Sequence, residues 1–518
     1  MSYWSLYFLI KTGLYYGGFL GFHWGWNLLF AVALAWPLGH AVVQRARKWL
    51  AWPMAMALLY HDSFLPSPAR VFSQLKALSG FSADYMLELL GRAVNWQAIL
   101  MLMACGVVYA LLAQRVRFAS FAFVAILSVP LVSTLRTPLQ TASAVTPAVQ
   151  ANGGAPTAVP VDPQSRLQAF YQQESQRKLR MPAAAGAGFD VIVLHVCSLA
   201  WDDLEFVNEH NHPLFNRFDL LLKNFNSASS YSGPAALRLL YGACGQMPHT
   251  QFYKNASAEC LIFPELERAG FKIGGLLNHD GVYEGFAKSL EQRGGFTGNV
   301  AIGNASSERM KSFDGTPIFD DQEVLSTWWD QRLKSGDQPV ALYYNTISLH
   351  DGNRLPGMTS RSSLDTYKPR LQKLFADFDK FITQLESSGR PVVLLMVPEH
   401  GASLRGDKVQ ISGMREIPGP RITLVPAAVK LIGLKDSPIS GPVMVDKPMS
   451  YFGLYSLLGD LIADSPYVPG ARPLAARLDT LQETAFVSEN DDIVVMRDPK
   501  GAYVMRSGEN GAWVPYAF

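Results

Sequence analysis

DVIVLHV, from Asp190 to Val196, is an almost uninterrupted apolar run that ends directly before Cys197 and Ser198. Short apolar runs of this kind are typical of parallel strands that are buried on both faces. Longer helical patterns separate this run from three others: Lys272–Leu277, Val340–Tyr344 and Val392–Val397. The sequence from residue 188 to residue 518 therefore predicts a three-layer α/β domain.

The residues that follow these four runs are of types that bind metal ions or carry protons. In open α/β sheets, ligands bind just beyond the carboxyl ends of the strands. The residues at these positions are metal ligands and proton carriers: Cys197-Ser198, Asn278-His279-Asp280, Asn345 to His350-Asp351, and Pro398-Glu399-His400-Gly401. We therefore expect a functional site at this edge of the sheet.

Three of these residues form a set of metal ligands. A thiolate, a carboxylate and an imidazole together suit zinc better than magnesium or calcium. Cys197, Glu399 and His400 provide that set. We expect Glu399 and His400 to lie outside regular structure, because neighbouring side chains of an extended strand point to opposite faces. Cys197 taken alone is better explained as a small buried core residue.

Ser232 is the candidate nucleophile. It lies in SSYSGP, residues 229–234, directly before the helical pattern Ala235–Leu240. A hydroxyl at the start of a helix faces free backbone N–H groups and the positive end of the helix dipole, which together can bind a phosphoryl group. The alternative is an ordinary N-cap serine, and the spacing alone favours that alternative.

Apolar stretches dominate the first quarter of the chain, and a transmembrane helix needs roughly 20 such residues. Four stretches approach that length, Leu6–Phe22, Trp24–Leu38, Trp96–Leu112 and Phe118–Leu135, and a fifth, Trp49–Tyr60, is shorter. Lys11 interrupts the first stretch and must either snorkel or face a polar partner. Because no small-residue cleavage site follows the first stretch, we expect a retained span. The sequence therefore predicts a transmembrane domain of about five spans over residues 1–136.

Basic residues indicate the orientation of these spans. Two connectors carry them, the first with Arg45, Arg47 and Lys48 and the second with Arg115 and Arg117. By the positive-inside rule both connectors are cytoplasmic. The loop 70–95 and all residues beyond 136 are then external.

Residues 137–187 have the composition of a linker. They are rich in Ala, Pro, Thr, Gly and Gln and cannot bury a core of their own. Asp162 and Pro163 provide an N-cap and a first-turn proline, so we expect one short helix after them.

Cysteine content and charge limit the functional classes. A bridge between Cys244 and Cys260 would close a short loop and would require an oxidising compartment; the alternative is a pair of reduced, buried thiols. The formal net charge is only +2, and no long basic tract with interleaved aromatic residues is present. We therefore expect no nucleic-acid partner.

Three motifs together resemble one known family. They are VIVLHVCSL at 191–199, SYSGPAA at 230–236 and PEHG at 398–401. They resemble the cellulose phosphoethanolamine transferases encoded in bacterial cellulose-secretion operons, which belong to the alkaline-phosphatase and sulfatase superfamily. The resemblance covers nearly the whole chain, including the apolar N-terminal stretches and the pair Cys244 and Cys260.

This resemblance implies an alkaline-phosphatase-like catalytic domain with one zinc ion. The implied zinc ligands are Cys197, Ser232, Glu399 and His400, with Ser232 also the nucleophile. By the same resemblance, His350 is an acid/base residue, and Tyr231 and Arg415 are further active-site positions. In the wider superfamily an acidic residue usually ends the first strand, and the lipid A enzymes use threonine as nucleophile. Cys197 and Ser232 occupy these two positions here, which distinguishes the chain from the lipid A enzymes.

The implied reaction is transfer of phosphoethanolamine from phosphatidylethanolamine to cellulose, at the C6 hydroxyl of its glucosyl units. The implied location is the bacterial inner membrane, with the catalytic domain in the periplasm beside subunits of the cellulose synthase complex. Three alternatives remain open: a phosphoethanolamine or phosphoglycerol transferase for another envelope glycan, a sulfatase-like hydrolase, and a structural subunit of the synthase complex. Ser232-Gly233-Pro234 resembles the start of the sulfatase signature, although Ala236 stands where that signature has arginine.

Overall fold

A computed structural model describes residues 2–63, 80–94, 96–141, 162–184, 188–254, 256–358, 362–434, 441–508 and 511–518. Residues 142–161 and 185–187 of the predicted linker and residues 70–79 of the predicted external loop lie outside the described residues. The described residues form two compact units. The N-terminal unit contains residues up to 63 and from 91 to 141, and the C-terminal unit contains residues 80–90 and those from 162 onward.

Helices are numbered in chain order. They are α1 (Ser2–Tyr16), α2 (Trp24–Ala35), α3 (Ala41–Asp62), α4 (Ala83–Ala93), α5 (Trp96–Leu112), α6 (Phe118–Thr141), α7 (Pro163–Ser175), α8 (Trp201–Phe206), α9 (Ser232–Leu240), α10 (Gln251–Lys254), α11 (Ile262–Ala269), α12 (Phe286–Arg293), α13 (Asp321–Leu333), α14 (Tyr367–Ser387), α15 (Pro420–Thr423), α16 (Tyr451–Ala463) and α17 (Leu474–Arg477).

Strands are numbered in the same way. They are β1 (Asp190–Cys197), β2 (Leu220–Asn226), β3 (Lys272–Leu277), β4 (Val300–Ile302), β5 (Glu308–Lys311), β6 (Pro317–Phe319), β7 (Val340–Thr346), β8 (Val392–His400), β9 (Leu424–Ile432), β10 (Val443–Val445), β11 (Val487–Glu489), β12 (Ile493–Arg497), β13 (Tyr503–Ser507) and β14 (Val514–Tyr516).

The N-terminal unit consists of apolar helices with much exposed apolar surface. No residue of α5 is buried. Among the described residues, the stretch Ala83–Leu112 is the one long and apolar enough to cross a membrane by length and composition. The helix α2 and the segment Phe118–Val132 are apolar but shorter. Helices whose apolar side chains face outward on all sides need an apolar environment.

The bounds of the N-terminal helices differ from the predicted stretches. The helix α1 ends at Tyr16, before Gly17 and Gly18, because Gly18 adopts a positive φ of 78° that ends the helix. The helix α3 begins at Ala41, so Arg45, Arg47 and Lys48 lie within a helix and not in a connector as predicted. Arginine and lysine are good helix formers. Arg47 also donates to the carbonyl of Trp36 at the end of α2, at 2.6 Å.

Lys11 faces a polar partner, which is one of the two predicted solutions. Its side chain is 1% exposed, and its ammonium nitrogen lies 2.8 Å from Oδ2 of Asp62. It also donates to Oδ1 of Asn27 at 2.9 Å and to the carbonyl of Leu58 at 3.0 Å. The buried charge is therefore paired and hydrogen-bonded, as a charge in an apolar environment requires.

The C-terminal unit is built on an eight-stranded sheet with the order β10-β2-β9-β8-β1-β7-β3-β4. The four strands predicted from the sequence are β1, β3, β7 and β8, and they lie next to one another in parallel. One strand, β9, runs antiparallel to both of its neighbours. The carboxyl ends of the four predicted strands therefore meet at one edge.

Hydrophobic clusters cover both faces of this sheet. Alternate residues of β1 point to opposite clusters, with Val191 and Val193 in one and Ile192 and Leu194 in the other. The first cluster includes α9, α11 and α16, and the second includes α13 and α14. This confirms the predicted α/β domain with helices on both faces of a largely parallel sheet.

A second, four-stranded antiparallel sheet follows in the order β11-β12-β13-β14. The predicted helix after Asp162 is α7, and the Asp162 carboxylate accepts a hydrogen bond from the backbone N–H of Ser165 at 2.9 Å. Leu167 of this helix packs with Val487, Val494 and Met496 of the second sheet. The helix α7 therefore packs within the C-terminal unit.

The predicted disulfide bond is present between Cys244 and Cys260, which are 16 residues apart. It joins the loop after α9 to the segment before α11. Closing a loop of this length restricts the unfolded chain.

We expect replacement of both Cys244 and Cys260 with serine to lower the free energy of unfolding of the C-terminal unit by about 3 kcal/mol. Denaturant unfolding under oxidising conditions measures this difference. Under reducing conditions the variant and the wild type should unfold at the same denaturant concentration. Equal stability of the two proteins under oxidising conditions would contradict the prediction.

Candidate active site

The predicted metal ligands meet at the carboxyl edge of the main sheet. Cys197 ends β1, and Glu399 and His400 end the neighbouring strand β8. The sulfur of Cys197, a carboxylate oxygen of Glu399 and an imidazole nitrogen of His400 all lie within 4.8 Å of one another. All three residues are fully buried.

Glu399 and His400 lie within a strand, so the expectation that they would lie outside regular structure is wrong. The ladder between β1 and β8 is irregular at this point: Val196 is opposite Pro398, whereas Cys197 is opposite His400. Glu399 is thus the extra residue of a β-bulge. A bulge bends the strand and redirects side chains locally. This explains how neighbouring residues of a strand can face the same site.

Ser232 is the first residue of α9, and Tyr231 is its N-cap. The alternative that Ser232 is an ordinary N-cap serine is therefore wrong. The hydroxyl oxygen of Ser232 lies 3.2 Å from the sulfur of Cys197 and 3.3 Å from Nε2 of His400. The structure thus brings Ser232 together with the candidate ligands at the positive end of a helix.

Asn345 orients the carboxylate of Glu399. Its side-chain amide donates to Oε1 of Glu399 at 2.6 Å, and its Oδ1 lies 3.0 Å from Nε2 of His279. The other oxygen of Glu399, Oε2, is buried without a hydrogen-bond partner among the described residues. A buried carboxylate oxygen without a donor is costly, and a cation would satisfy it.

The imidazole of His400 is oriented for the same centre. Its Nδ1 lies 2.9 Å from the carbonyl of Gly401, so Nδ1 carries the hydrogen and Nε2 keeps its lone pair. Burial raises the pKa of Glu399 to about 7 and raises the pKa of Cys197 well above its usual range. Burial, together with the charge of Arg415, lowers the pKa of His400. A bound cation would reverse the first two effects, because it stabilises the thiolate and the carboxylate.

His350 lies on the loop after β7. Its Nδ1 is 2.6 Å from the carbonyl of Asp351, which leaves Nε2 as the nitrogen that can accept a proton. The buried guanidinium of Arg370 donates to the carbonyls of Ser348 and His350, at 2.8 and 3.0 Å. Burial, with a contribution from Arg415, lowers the pKa of His350 from 6.5 to about 4. The imidazole is therefore neutral near pH 7.

Tyr231 and Arg415 lie beside this centre. The guanidinium of Arg415 lies over the ring of Tyr231, 5.9 Å from its centroid, and donates to the hydroxyl of Ser198 at 3.2 Å. The hydroxyl of Tyr231 donates to Oε2 of Glu416 at 2.6 Å. A fixed positive charge next to a serine at a helix start suits a phosphate group.

A cavity of about 590 Å³ opens onto these side chains. Its lining includes Tyr231, Ser232, Asn345, His350 and Arg415. Six aromatic residues form much of the remaining wall: Phe81, Tyr85, Tyr253, Tyr283, Phe286 and Phe313. The cavity has the volume of a small-molecule binding site.

The carboxylate of Asp203, which is fully buried, joins the segments that follow the two ligand-bearing strands. It accepts backbone hydrogen bonds from Ala200 at 3.1 Å, from Ala402 at 2.7 Å and from Leu404 at 3.2 Å. The loops after β1 and β8 are thereby fixed to each other. The sequence analysis did not find this residue, since a short helix rich in acidic residues carries no signal of such a contact.

A second group with metal-ligand atoms is His23, His61 and Asp62, in the N-terminal unit. The carboxylate of Asp62 already accepts hydrogen bonds from Asn27 at 2.7 Å and pairs with Lys11 at 2.8 Å. Its charge is therefore balanced without a metal ion.

The fold and the site together define an α/β protein in which a serine at a helix start lies among a thiol, a carboxylate and an imidazole. The profile of the "Cellulose biosynthesis protein BcsG C-terminal domain" matches residues 149–513, and that of the N-terminal domain of the same protein matches residues 4–131. The chain belongs to the BcsG family.

Individual relatives agree with this assignment. The cellulose biosynthesis protein BcsG of Escherichia coli K12 is 38% identical over 100% of this chain and 96% of its own length. The protein of the same name from Salmonella typhimurium LT2 is 37% identical over the same shares of the two chains.

Solved structures with similarity to this chain include an alkaline phosphatase superfamily protein from Vibrio parahaemolyticus. It has a TM-score of 0.47 and 13% identity, over 69% of this chain and 92% of its own. The integral membrane lipooligosaccharide phosphoethanolamine transferase A of Neisseria meningitidis has a TM-score of 0.41 and 15% identity, over 88% of this chain and 95% of its own.

Proposed function

We propose that this protein transfers phosphoethanolamine from phosphatidylethanolamine to the C6 hydroxyls of cellulose, through a covalent phosphoethanolamine-Ser232 intermediate. The observation that carries the proposal is the position of the Ser232 hydroxyl, within 3.3 Å of both Cys197 and His400 at the start of α9. Membership of a family named for cellulose biosynthesis supports the choice of acceptor.

The proposed cofactor is one zinc ion, held by Cys197, Ser232, Glu399 and His400. The mixed sulfur, oxygen and nitrogen donors suit zinc, and the unpaired Oε2 of Glu399 fits a cation. When bound, the ion supplies a Lewis-acid charge that favours the alkoxide form of Ser232.

The transfer has two half-reactions at one phosphorus atom. In the first, Oγ of Ser232 bonds to phosphorus, the bond from phosphorus to the diacylglycerol oxygen breaks, and the serine proton ends on diacylglycerol. In the second, the glucosyl hydroxyl bonds to phosphorus, the bond to Ser232 breaks, and the hydroxyl proton returns to Ser232. Splitting one difficult displacement into two is the general advantage of a covalent intermediate.

His350 and Arg415 would assist at different atoms. His350 lines the cavity, and its Nε2 is the nitrogen proposed to take the proton of the attacking hydroxyl as a neutral base. Arg415 and the backbone N–H groups at the start of α9 stabilise negative charge on the phosphoryl oxygens. Tyr231 holds its ring under the Arg415 guanidinium.

A membrane location brings this site to its lipid donor. We propose about five spans in the bacterial inner membrane, with the C-terminal unit in the periplasm. Residues 80–90 belong to the same compact unit as the residues from 162 onward, which supports a topology with both segments on one side of the membrane. In this proposed topology an even number of crossings separates the two segments, and α5 and α6 are the two crossings. The disulfide bond between Cys244 and Cys260 fits an oxidising compartment.

Cellulose as acceptor further suggests that the protein works beside subunits of a cellulose synthase complex. The domain boundaries at residues 136 and 187 stay predictions.

Mass spectrometry of the full-length protein incubated with phosphatidylethanolamine vesicles tests the proposal. We expect a mass increase of one phosphoethanolamine group, mapping to Ser232, that disappears when cello-oligosaccharides are added. Phosphatidylglycerol vesicles provide the comparison, because a phosphoglycerol transferase would be modified by them instead. No adduct with either lipid, from protein with stoichiometric zinc, would refute the proposal.

We also expect kcat/KM to fall, on the acidic side of its pH profile, around pH 4 and not around pH 6.5. This fall is the acidic limb of the profile. The neutral imidazole of His350 is the active form, so activity is retained above its pKa of about 4 and lost as the pH falls through that value. Replacing His350 with glutamine should lower kcat by about 10² to 10⁴ and remove this limb. A pH-rate profile measures both effects.

The solvent-exposed His210 offers a matched control. The variant His210→Gln should keep both the rate and the limb. A limb that persists unchanged in His350→Gln would rule out the assignment to His350.

A further inference from the structure

Residues 80–90 lie far from the catalytic domain in sequence but belong to the C-terminal unit. The segment enters that unit with a backbone hydrogen bond of 2.9 Å from the N–H of Ser82 to the carbonyl of Phe313. It then forms the first part of α4. The contacts of this segment gather around the loop that carries His350.

Tyr85 contacts the residue next to His350. Its hydroxyl donates to Oδ2 of Asp351 at 2.9 Å, and Tyr85 is 6% exposed. The other oxygen of Asp351 accepts from the hydroxyl of Ser363 at 2.6 Å and from the N–H of Gly352 at 2.9 Å. The carbonyl of Asp351 in turn binds Nδ1 of His350 at 2.6 Å. Asp351 therefore links the hydroxyl of Tyr85 to Nδ1 of His350, the nitrogen that carries the hydrogen.

Glu88, one helical turn further along α4, contacts the other side of the same loop. Its Oε1 accepts from the backbone N–H of Ser363 at 2.7 Å and from the hydroxyls of Ser362 and Ser363 at 3.1 Å. Its Oε2 forms an ion pair with Arg354. The carboxylate is almost fully buried, so these contacts satisfy its charge.

Aromatic rings make a second connection. The ring of Phe313 lies against His350, with 4.6 Å between the ring centroids and 32° between the planes. The rings of Phe81 and Tyr85 pack on Phe313, at centroid distances of 5.4 and 6.1 Å. Phe81 and Tyr85 also line the cavity above Ser232. The imidazole is thus held from its ring face as well as through its Nδ1.

We propose that residues 80–90 are a positioning segment of the active site, in which Tyr85 and Glu88 hold the loop of His350 and Phe81 completes the cavity wall. The inference rests on the proposed role of His350 as a proton carrier. Tyr85 does not touch the reacting atoms; it acts through Asp351 and His350. A misplacement of a catalytic group by about 1 Å can cost as much as about 100-fold in rate.

A double-mutant cycle in the full-length protein tests the proposal. Tyr85→Phe keeps the ring and removes the hydroxyl that binds Asp351. We expect this variant to lower kcat with phosphatidylethanolamine by about 10-fold and to leave KM within about twofold. In a His350→Gln background the same change should have no further effect, because there is no imidazole to position. Glu88→Gln should behave in the same way as Tyr85→Phe.

Tyr467→Phe is the matched control. The Tyr467 hydroxyl donates to the carbonyl of Val392 at 2.8 Å, at the start of β8 and the opposite end of that strand from Glu399. This variant also loses one tyrosine hydroxyl bond but should keep kcat. An equal loss of rate from Tyr85→Phe in both backgrounds, or no loss in either, would overturn the proposal.

Hydrogen exchange separates this test from the proposed function. If the wild type has no activity with phosphatidylethanolamine, the proposed function fails at that point. The positioning role is then decided by amide exchange in residues 347–354, which should become at least about 10-fold faster in Tyr85→Phe and stay unchanged in Tyr467→Phe. Unchanged exchange in both variants would show that the segment does not hold the loop.

Discussion

Replacing Ser232 with alanine is expected to lower kcat for phosphoethanolamine transfer by a factor on the order of 10⁴ to 10⁶. The alanine side chain has no oxygen to bond to phosphorus, so neither half-reaction can use the covalent route. The variant should also yield no mass adduct with phosphatidylethanolamine. Turnover assays and intact-mass spectrometry measure the two effects on the same preparation.

Ser229→Ala provides the matched control in the same segment. The Ser229 hydroxyl is buried and makes one long contact of 3.4 Å to Asn490, and it contacts none of the candidate ligands in the described residues. This variant should form the adduct at the wild-type rate. An adduct that persists in Ser232→Ala, or that is lost in Ser229→Ala, would contradict the assignment of Ser232 as the nucleophile.

Replacing Cys197 with alanine is expected to reduce the zinc content from about one equivalent to below about 0.1 equivalent per chain at micromolar free metal. The thiolate is one of three protein donors that lie within 4.8 Å of one another. Its loss leaves the imidazole of His400 with two oxygen ligands, Glu399 and Ser232, and removes the soft sulfur donor that favours zinc among the four proposed ligands. Elemental analysis of protein purified without chelators measures the content, and transfer activity should fall with it.

The chain contains a second free cysteine for comparison. Cys105 lies exposed on α5, and Cys105→Ala should keep both zinc and activity. Glu399→Gln tests the same centre by removing charge with little change of shape, and it should also lose zinc. Full zinc occupancy in both Cys197→Ala and Glu399→Gln would exclude this cluster as the metal site.

The sequence was sufficient to predict the core of the C-terminal unit. Fully buried parallel strands are continuous apolar runs, so β1, β3, β7 and β8 could be recognised without their partners. The metal ligands and proton carriers that follow these strands lie at one edge of the sheet, because parallel strands end on the same side. For Cys244 and Cys260 the sequence left two possibilities, a disulfide bond or a pair of reduced thiols, and the structure contains the disulfide bond.

The local geometry of the site could not be predicted in the same way. The bulge that turns Glu399 and His400 toward one centre depends on the register between β1 and β8, which is a relation between strands. The position of Ser232 inside α9 depends on where the helix begins, and the spacing alone favoured Ser232 as the N-cap, whereas Tyr231 is the N-cap.

The residues that orient the site were missed for a related reason. Asn345 was seen only as a polar residue after a strand, and nothing near it in sequence indicates its bond to Glu399. The buried Arg370 lies in the middle of α14, where arginine normally faces solvent. Both contacts join elements that are distant along the chain, so that a pattern within one element cannot reveal them.

The contact between Tyr85 and Asp351 also has a consequence for how the protein is made. These residues are 266 positions apart, and α5 and α6 are synthesised between them. The ribosome therefore releases residues 80–90 long before it makes the residues that they contact. The C-terminal unit can complete its native contacts only when the later residues around Asp351 pack against residues 80–90, which are synthesised much earlier. Closure of so long a loop is a late and slow kind of folding event, and a chain that lacks its first 90 residues has no route to it.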